Sequence, residues 1–177
     1  MMPPQRGILY FALGAKPESE MEKSIDIRSV VTRDAARSDI NRLLSMVQAL
    51  ASHHDDVPAV SQNALERDIF GEIPWIYVIV AEAGKEVVGY AALCPLIKLQ
   101  DGARGIDLHH LFVENEVRGA GVGKLLIEAS MQKARDLTCT SMTVGTHPDN
   151  LSAQAVYLAC GFVQKHGSNP KFRISLE

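Results

Sequence analysis

A glycine-rich loop that follows residues 108–113 is the part of the sequence best suited to chemistry. Its residues are Arg118, Gly119, Ala120, Gly121, Val122, Gly123 and Lys124. Glycines at the start of a helix expose backbone N–H groups, and the helix dipole adds partial positive charge at the same place. The sequence therefore predicts a site for a phosphate or pyrophosphate group at this loop.

Two common nucleotide-binding loops do not fit these residues. A Walker-type loop needs a glycine where Arg118 stands and a serine or threonine where Leu125 stands. A dinucleotide loop that starts at Gly119 needs a glycine at the position of Lys124, and an acidic residue at the end of a second parallel strand. Both nucleotide loops are excluded, and a plain glycine-rich turn at a helix start stays open as the alternative.

The spacing of apolar residues predicts the elements that position this loop. Apolar and β-branched runs predict strands at 25–31, 75–81, 86–93, 106–113 and 141–145, with a closing pair at 162–165 and 172–176. Helical spacing predicts helices at 35–53, capped by residues 32–34, and at 61–70, 122–137 and 152–159. We expect one mixed α/β (α+β) domain over residues 25–177, with a mostly antiparallel sheet and helices on both faces, after an N-terminal extension of residues 1–24.

Composition narrows the classes of partner. With 18 basic and 21 acidic residues and a net charge of −3, the chain lacks the basic excess that binds nucleic acid. No apolar run approaches the roughly 18 to 20 residues of a membrane span. Three cysteines without CxxC spacing indicate neither a disulfide framework nor a zinc site. We expect a cytoplasmic protein that binds neither nucleic acid nor membrane.

A second motif lies downstream, and the two motifs together carry a family resemblance. Asn150 is followed by Ala153 and Tyr157 on a predicted helix, and then by Gly161 and Phe162. The loop matches the Arg/Gln-x-x-Gly-x-Gly/Ala signature of the Gcn5-related N-acetyltransferases, and the downstream residues are similar to their second signature. The chain therefore resembles this superfamily from residue 25 onward, with a faint similarity to its diamine acetyltransferase branch.

The resemblance implies acetyl-coenzyme A as co-substrate and no metal. The pyrophosphate would lie on the loop 118–124, and the pantetheine would pair with the main chain of Leu111, Phe112 and Val113. Asn150 and Ala153 would lie beside the pantetheine arm. The run 53–56, His-His-Asp-Asp, has metal-capable side chains, but adjacent ligands at a helix end diverge, so we expect no metal there.

Tyr157 is the candidate general acid. Acetyl transfer to an amine releases a thiolate, and the resemblance implies that the Tyr157 phenol stands near the thioester sulfur. A phenol can protonate a departing sulfur, and a backbone N–H of the strand 111–113 can stabilise the oxyanion by a few kcal/mol, as single oxyanion donors do. An aromatic residue packed on a helix face is the alternative role for Tyr157.

His109 and His110 are the candidate bases. An alkylammonium, with a pKa of about 10.4, must lose a proton before its nitrogen attacks. Strand alternation predicts that the two histidines point to opposite faces of the sheet, so that one faces the acceptor. In diamine acetyltransferase-like relatives a glutamate stands at the position of His109. Glu114 is the reserve candidate, and a purely structural role for either histidine stays open.

The acceptor is the open question. We expect a small primary amine, a polyamine or an amino-acid derivative, with a protein or peptide amine as the alternative and aminoglycosides third. Acidic residues on the first two helices and the segments beside them would attract a cation, unless they only face solvent: Asp55, Asp56, Glu66, Asp68 and Glu72. A catalytically silent acyl-coenzyme A sensor of the same fold is the second alternative. A homodimer is expected from the resemblance.

Overall fold

A five-stranded sheet organises the part of the chain that the computed structural model describes, residues 25–52 and 57–164. The elements in chain order are β1 (Val30–Asp34), α1 (Ile40–Ser52), α2 (Gln62–Phe70), β2 (Tyr77–Ala83), β3 (Glu86–Lys98), β4 (Ala103–Val113), α3 (Val122–Asp136), β5 (Cys139–Val144) and α4 (Leu151–Ala159). The predicted N-terminal extension, the run 53–56 and the predicted strand 172–176 lie outside the described residues.

The strands lie in the order β1-β2-β3-β4-β5. The first four pair antiparallel, and β5 joins β4 in parallel, which confirms the mostly antiparallel sheet. The predicted hairpin is also confirmed, because β2 turns into β3 at Gly84, whose φ of 66° suits a glycine. The parallel pairing needs a crossover, and α3 supplies it between β4 and β5.

Helices cover both faces of the sheet, as expected. On the face that we call the α3 face, Leu126 and Ile127 of α3 and Tyr157 of α4 pack against Leu108 and Leu111 of β4. On the other face, the α1 face, a separate core joins α1 and α2 to β2, β3 and β4. Its wholly or largely buried residues include Leu43, Met46, Leu50, Leu65, Val80, Tyr90, Ala92 and Phe112.

The predicted first strand starts too early. Residues 27–29 form a 3-10 turn because Asp26 accepts two backbone hydrogen bonds. The Arg28 N–H donates to the Asp26 side chain, and the Ser29 N–H donates to the Asp26 carbonyl. β1 then runs through residues 32–34, which were predicted to cap the helix. The capping carboxylate is instead Asp39, which accepts from the Ala36 N–H at 2.7 Å.

The ends of the other elements differ by smaller amounts. Strands β3 and β4 are longer than predicted, since the ladder between them continues to the pair Lys98 and Ala103. Residues 162–164, the described part of the predicted strand 162–165, are not in a strand. Among the described residues, no helix has the length and apolar character to cross a membrane.

Candidate active site

An open strand edge lies at the centre of the candidate site. β4 pairs with β5 only as far as Leu108 and Val144, although β4 continues to Val113. The Glu114 N–H donates to the Val88 carbonyl of β3 at 2.9 Å. In an antiparallel ladder, alternate residues bond to the same neighbour. Leu111 and Val113 therefore direct their backbone groups away from β3, toward the gap that β5 leaves.

The backbone groups of Phe112 point the other way, toward β3, where they join the ladder. Its ring is 3% exposed and packs in the core of the α1 face. Of the three strand residues predicted to pair with a ligand through the main chain, Leu111 and Val113 therefore direct their backbone groups to the open edge, and Phe112 does not.

The glycine loop lies directly after this edge and leads into α3, as predicted. Gly119 and Gly121 have φ values of 80° and 95°, a region that side-chain-bearing residues rarely adopt. Gly121 is the N-cap of α3 and has no side chain to accept from the first N–H groups of the helix. These N–H groups and the helix dipole make the loop suitable for an anion.

The other loop residues differ in exposure. Val122 and Gly123 are buried in the first turn of α3, Ala120 is half-buried, and Lys124 is exposed, 3.7 Å from the Glu128 carboxylate. The Lys124 ammonium thus remains at the surface beside the helix start, where it adds positive charge.

Arg118 ties the loop to the end of β4. Its Nε donates to the Val113 carbonyl at 2.9 Å, and its guanidinium lies 5.9 Å from the centre of the Phe112 ring. Burial lowers the pKa of this guanidinium from its usual value. The side chain therefore fixes the position of the loop relative to the open edge.

Helix α4 starts beyond the gap. The Asn150 side-chain oxygen caps the helix by accepting from the Ala153 N–H at 3.1 Å. The Ala153 side chain is 0% exposed and packs in the core of the α3 face. Because the methyl group packs against the sheet, the predicted cofactor contact of Ala153 would involve its backbone, and it stays a prediction.

Tyr157, two turns along α4, is 5% exposed and lies at a cavity of about 470 Å³ between α4 and β5. Its ring packs edge-on against Phe162, with the centroids 5.8 Å apart. Burial raises the pKa of the phenol, so it stays protonated at neutral pH. The phenol therefore carries a proton at this cavity.

The prediction that His109 and His110 point to opposite faces is wrong. Ala92 of β3 pairs with His110, and the next residue, Leu93, pairs with Leu108, so His109 is an extra residue in a β-bulge. Both rings lie on the same side of β4, stacked at 10° with centroids 4.7 Å apart. The bulge reverses the alternation, which explains why Leu108 and Leu111 share the α3 face.

Tyr90 is a functional candidate that the sequence did not reveal. It is 1% exposed, lies on β3 in the core of the α1 face, and its hydroxyl is 3.1 Å from the His110 Nδ1 atom. β3 pairs antiparallel with β4, and the bulge sets which of their residues face each other. Without that register, the sequence could not pair Tyr90 with His110.

The reserve base and the acidic residues are occupied by arginines. Glu114 is bonded to Arg42 at 2.7 Å. Glu66 pairs with Arg37, and Asp68 pairs with Arg67 at 2.7 Å. Glu72 is exposed, whereas Asp55 and Asp56 lie outside the described residues. The described acidic residues of this region are thus largely neutralised locally.

Within residues 25–52 and 57–164, no three His, Cys, Asp or Glu side chains lie close enough together to bind a metal ion. The stretch 53–56 is outside that range. Tyr157 and the histidine pair belong to different faces of the sheet. They approach the reaction centre from opposite sides if that centre lies in the gap between β4 and β5.

Sequence comparisons cover this whole region. A model of the Acetyltransferase (GNAT) family matches residues 46–162. Thialysine N-epsilon-acetyltransferase from Sus scrofa is 30% identical over 143 residues, which make up 75% of this chain and 84% of that protein. N-acetyltransferase 8B from Rattus norvegicus is 36% identical over 88 residues, which are 50% of this chain and 39% of that protein.

Solved structures share the fold. An aminoglycoside acetyltransferase from an uncultured soil metagenomic sample superposes with a TM-score of 0.72 at 14% identity, over 84% of this chain and 99% of that one. A probable acetyltransferase gives the same TM-score at 25% identity, over 84% of this chain and 99% of that one.

Proposed function

The chain belongs to the GNAT acetyltransferase family and is an N-acetyltransferase, and from this premise we propose that it moves an acetyl group from acetyl-coenzyme A to a small primary amine. The acceptor is a simple amine, a polyamine or an amino-acid derivative. The amine attacks the thioester directly in a ternary complex.

The open edge of β4 beside the glycine loop carries the proposal. The N–H groups of residues 119–124 at the start of α3 fit a pyrophosphate. The backbone groups of Leu111 and Val113 fit the amides of a pantetheine arm, which would take the place of a neighbouring strand. Asn150, at the start of α4, lies on the far side of the gap. Acetyl-coenzyme A has this combination of groups.

The proposed chemistry uses groups on both sides of the gap. One of the two histidines takes a proton from the alkylammonium, and the freed lone pair of the nitrogen then forms a bond to the thioester carbonyl carbon. The nitrogen releases its second proton to solvent when the tetrahedral intermediate collapses. A backbone N–H of the edge at Leu111 or Val113 stabilises the oxyanion. When the carbon–sulfur bond breaks, the sulfur leaves with the electron pair and takes the Tyr157 proton.

The choice of a small amine rests on the relatives. The Sus scrofa protein, named for acetylation of the ε-amine of thialysine, matches across most of its length. Charged residues that would border the acceptor form ion pairs within the protein, as Glu66 of α2 does with Arg37. We therefore expect recognition of the acceptor by a few specific contacts and not by a general acidic field.

A thiol-release assay tests the proposal. Full-length protein is incubated with acetyl-coenzyme A and a panel of lysine-like amino acids, diamines, polyamines, peptides and aminoglycosides. We expect thiol release with a small amine. Calorimetric binding of acetyl-coenzyme A without release for any amine would favour the silent sensor, and absence of binding would reject both.

Cytoplasmic location and the homodimer stay predictions.

The described cysteines, Cys94, Cys139 and Cys160, are free thiols. Burial raises the pKa of the Cys94 and Cys160 thiols, which makes them less reactive and agrees with structural roles. Sedimentation equilibrium of the full-length chain would test the homodimer directly.

A further inference from the structure

We propose that Tyr90 is a positioning residue: it holds His110 as the neutral tautomer with its proton on Nε2, so that His109 is the residue that accepts the proton of the amine. The inference rests on the proposed function, and its first part concerns the free protein alone. It assigns different roles to two adjacent histidines that sequence alone could not distinguish.

The direction of the Tyr90–His110 hydrogen bond follows from burial. The Tyr90 side chain is 1% exposed, so its hydroxyl hydrogen needs a protein acceptor. Within the described residues, the acceptor in reach is the His110 Nδ1 atom at 3.1 Å. Burial also raises the pKa of the Tyr90 phenol, so the hydroxyl retains the hydrogen that it donates.

Donation to Nδ1 sets the tautomer of His110. A neutral imidazole carries one hydrogen, and if Nδ1 accepts, the hydrogen is on Nε2. Protonation at Nδ1 would reverse this bond, so that the Tyr90 oxygen accepts and the buried phenol hydrogen loses its acceptor. Tyr90 therefore opposes protonation of His110.

His109 is the more accessible of the two histidines. It is exposed to solvent, whereas His110 is half-buried and bonded to Tyr90. The two rings are stacked with their centroids 4.7 Å apart. Alternation places Asp107, Cys94 and Glu114 on this face as well. Asp107 and Cys94 pair across β3 and β4, and Asp107 accepts from Thr143 at 2.5 Å. Glu114 is bonded to Arg42 of α1 at 2.7 Å.

The protons of the step can be followed with His109 as base. The alkylammonium first gives one proton to a ring nitrogen of His109, and the freed lone pair then forms the bond to the carbonyl carbon. The nitrogen loses its second proton to solvent as the carbon–sulfur bond breaks, and solvent restores the proton that Tyr157 gives to the sulfur. The His110 Nε2–H remains a donor throughout and does not exchange its proton in the reaction. Tyr157 supplies the proton that the leaving sulfur takes.

Nuclear magnetic resonance of full-length protein with ¹⁵N-labelled histidine tests the tautomer. At neutral pH we expect His110 to show a protonated Nε2 and an unprotonated Nδ1. Tyr90→Phe should convert this pattern to a mixture of tautomers, while Tyr77→Phe on β2 should leave it unchanged. A protonated Nδ1 in the wild type, or an unchanged pattern in Tyr90→Phe, would overturn the proposal.

Steady-state kinetics with the best amine tests which histidine is the base. His110→Asn keeps an acceptor near the position of Nδ1, so its loss in kcat/KM should be well below the about 100-fold that removal of a general base costs. His109→Gln should show that full loss. Equal losses would overturn the assignment of the base. If the wild type transfers no acetyl group, the proposed function and the assignment of His109 fail, while the spectrum still decides the tautomer.

Discussion

The site has two regions that are built in different ways. The donor region consists of the open edge at Leu111 and Val113, the glycine loop and Tyr157. It presents mostly backbone groups, with one phenol fixed in the core. The acceptor region consists of His109, His110 and Tyr90 on the α1 face, and it presents side chains whose arrangement depends on one bulge.

The difference shows what each region requires of the sequence. Backbone groups at a helix start need glycines at fixed positions, and those glycines are visible in the sequence. A side-chain cluster across two strands needs the right register, and a bulge of one residue changes that register without a clear compositional mark. The donor is therefore easier to infer than the acceptor.

Tyr157→Phe should give the largest effect, because it removes the acid of the donor region. We expect kcat to fall by about 10²- to 10³-fold, the range for a general acid, with coenzyme affinity nearly unchanged. Tyr77→Phe removes a phenol from a half-buried ring on β2 and is the matched control. A kcat for Tyr157→Phe equal to that of the control would remove Tyr157 from the chemistry.

Asp39→Asn should separate stability from donor binding. Asp39 is 6% exposed, accepts from Ala36 at 2.7 Å and is bonded to Arg33 at 2.7 Å. We expect the free energy of unfolding to fall by about 1.5 to 3 kcal/mol, as for hydrogen bonds to charged groups. Calorimetric affinity for acetyl-coenzyme A should stay the same.

The loss in Asp39→Asn should depend on pH. Bonds from Arg33, then the Ala36 N–H, hold the pKa of Asp39 below its usual value in the folded protein. The carboxylate therefore contributes its full stability above the unfolded value of about 3.9 and loses it as the pH falls through the folded value. Urea unfolding should show a gap between wild type and variant at pH 7 that narrows below about pH 4. A gap that is constant with pH would show that the charge of Asp39 is not involved.

Gly119→Ala and Gly84→Ala form a matched pair: Gly119 lies in the donor region, and Gly84 lies outside it, in the turn between β2 and β3. Both glycines have positive φ, 80° and 66°, and an added Cβ at either meets nothing within 4 Å. Each alanine should cost about 1 to 2 kcal/mol of stability through backbone strain. Only Gly119→Ala should weaken acetyl-coenzyme A binding, by about tenfold or 1.4 kcal/mol, because its Cβ enters the space proposed for the pyrophosphate. Equal affinities by calorimetry would place the pyrophosphate elsewhere.

The fold was largely predictable from local patterns. Helix α2 starts after Ser61 and ends before Gly71, as those residues indicate, and α3 begins at Val122, directly after Gly121. The start of β1 was not predictable from alternation, because the Asp26 side chain turns the chain locally before the strand begins. Local hydrogen bonds by short polar side chains compete with the alternating pattern.

The site was predictable in part, and the missing part has a physical cause. The loop 118–124 and the position of Tyr157 follow from motifs within single segments. The stacking of His109 on His110, and the contact with Tyr90, follow from a bulge between two strands that a pattern of period two cannot show. Ala153 matches the motif of α4, and its burial in the core could not be read from its residue type alone.

Arg118→Lys and Arg42→Lys make the same chemical change in the donor region and on the α1 face, which carries the acceptor region. Each arginine donates from Nε to a backbone carbonyl at 2.9 Å, Arg118 to Val113 and Arg42 to Val87. Lysine keeps the charge but loses this fixed donor, at a cost of about 1 kcal/mol for a hydrogen bond. Because Arg118 holds the loop against the open edge, Arg118→Lys should weaken acetyl-coenzyme A binding by about fivefold, whereas Arg42→Lys should lower only stability. If both variants weaken the coenzyme equally, the loop is not positioned by Arg118, and the two regions do not differ in the way that their contacts indicate.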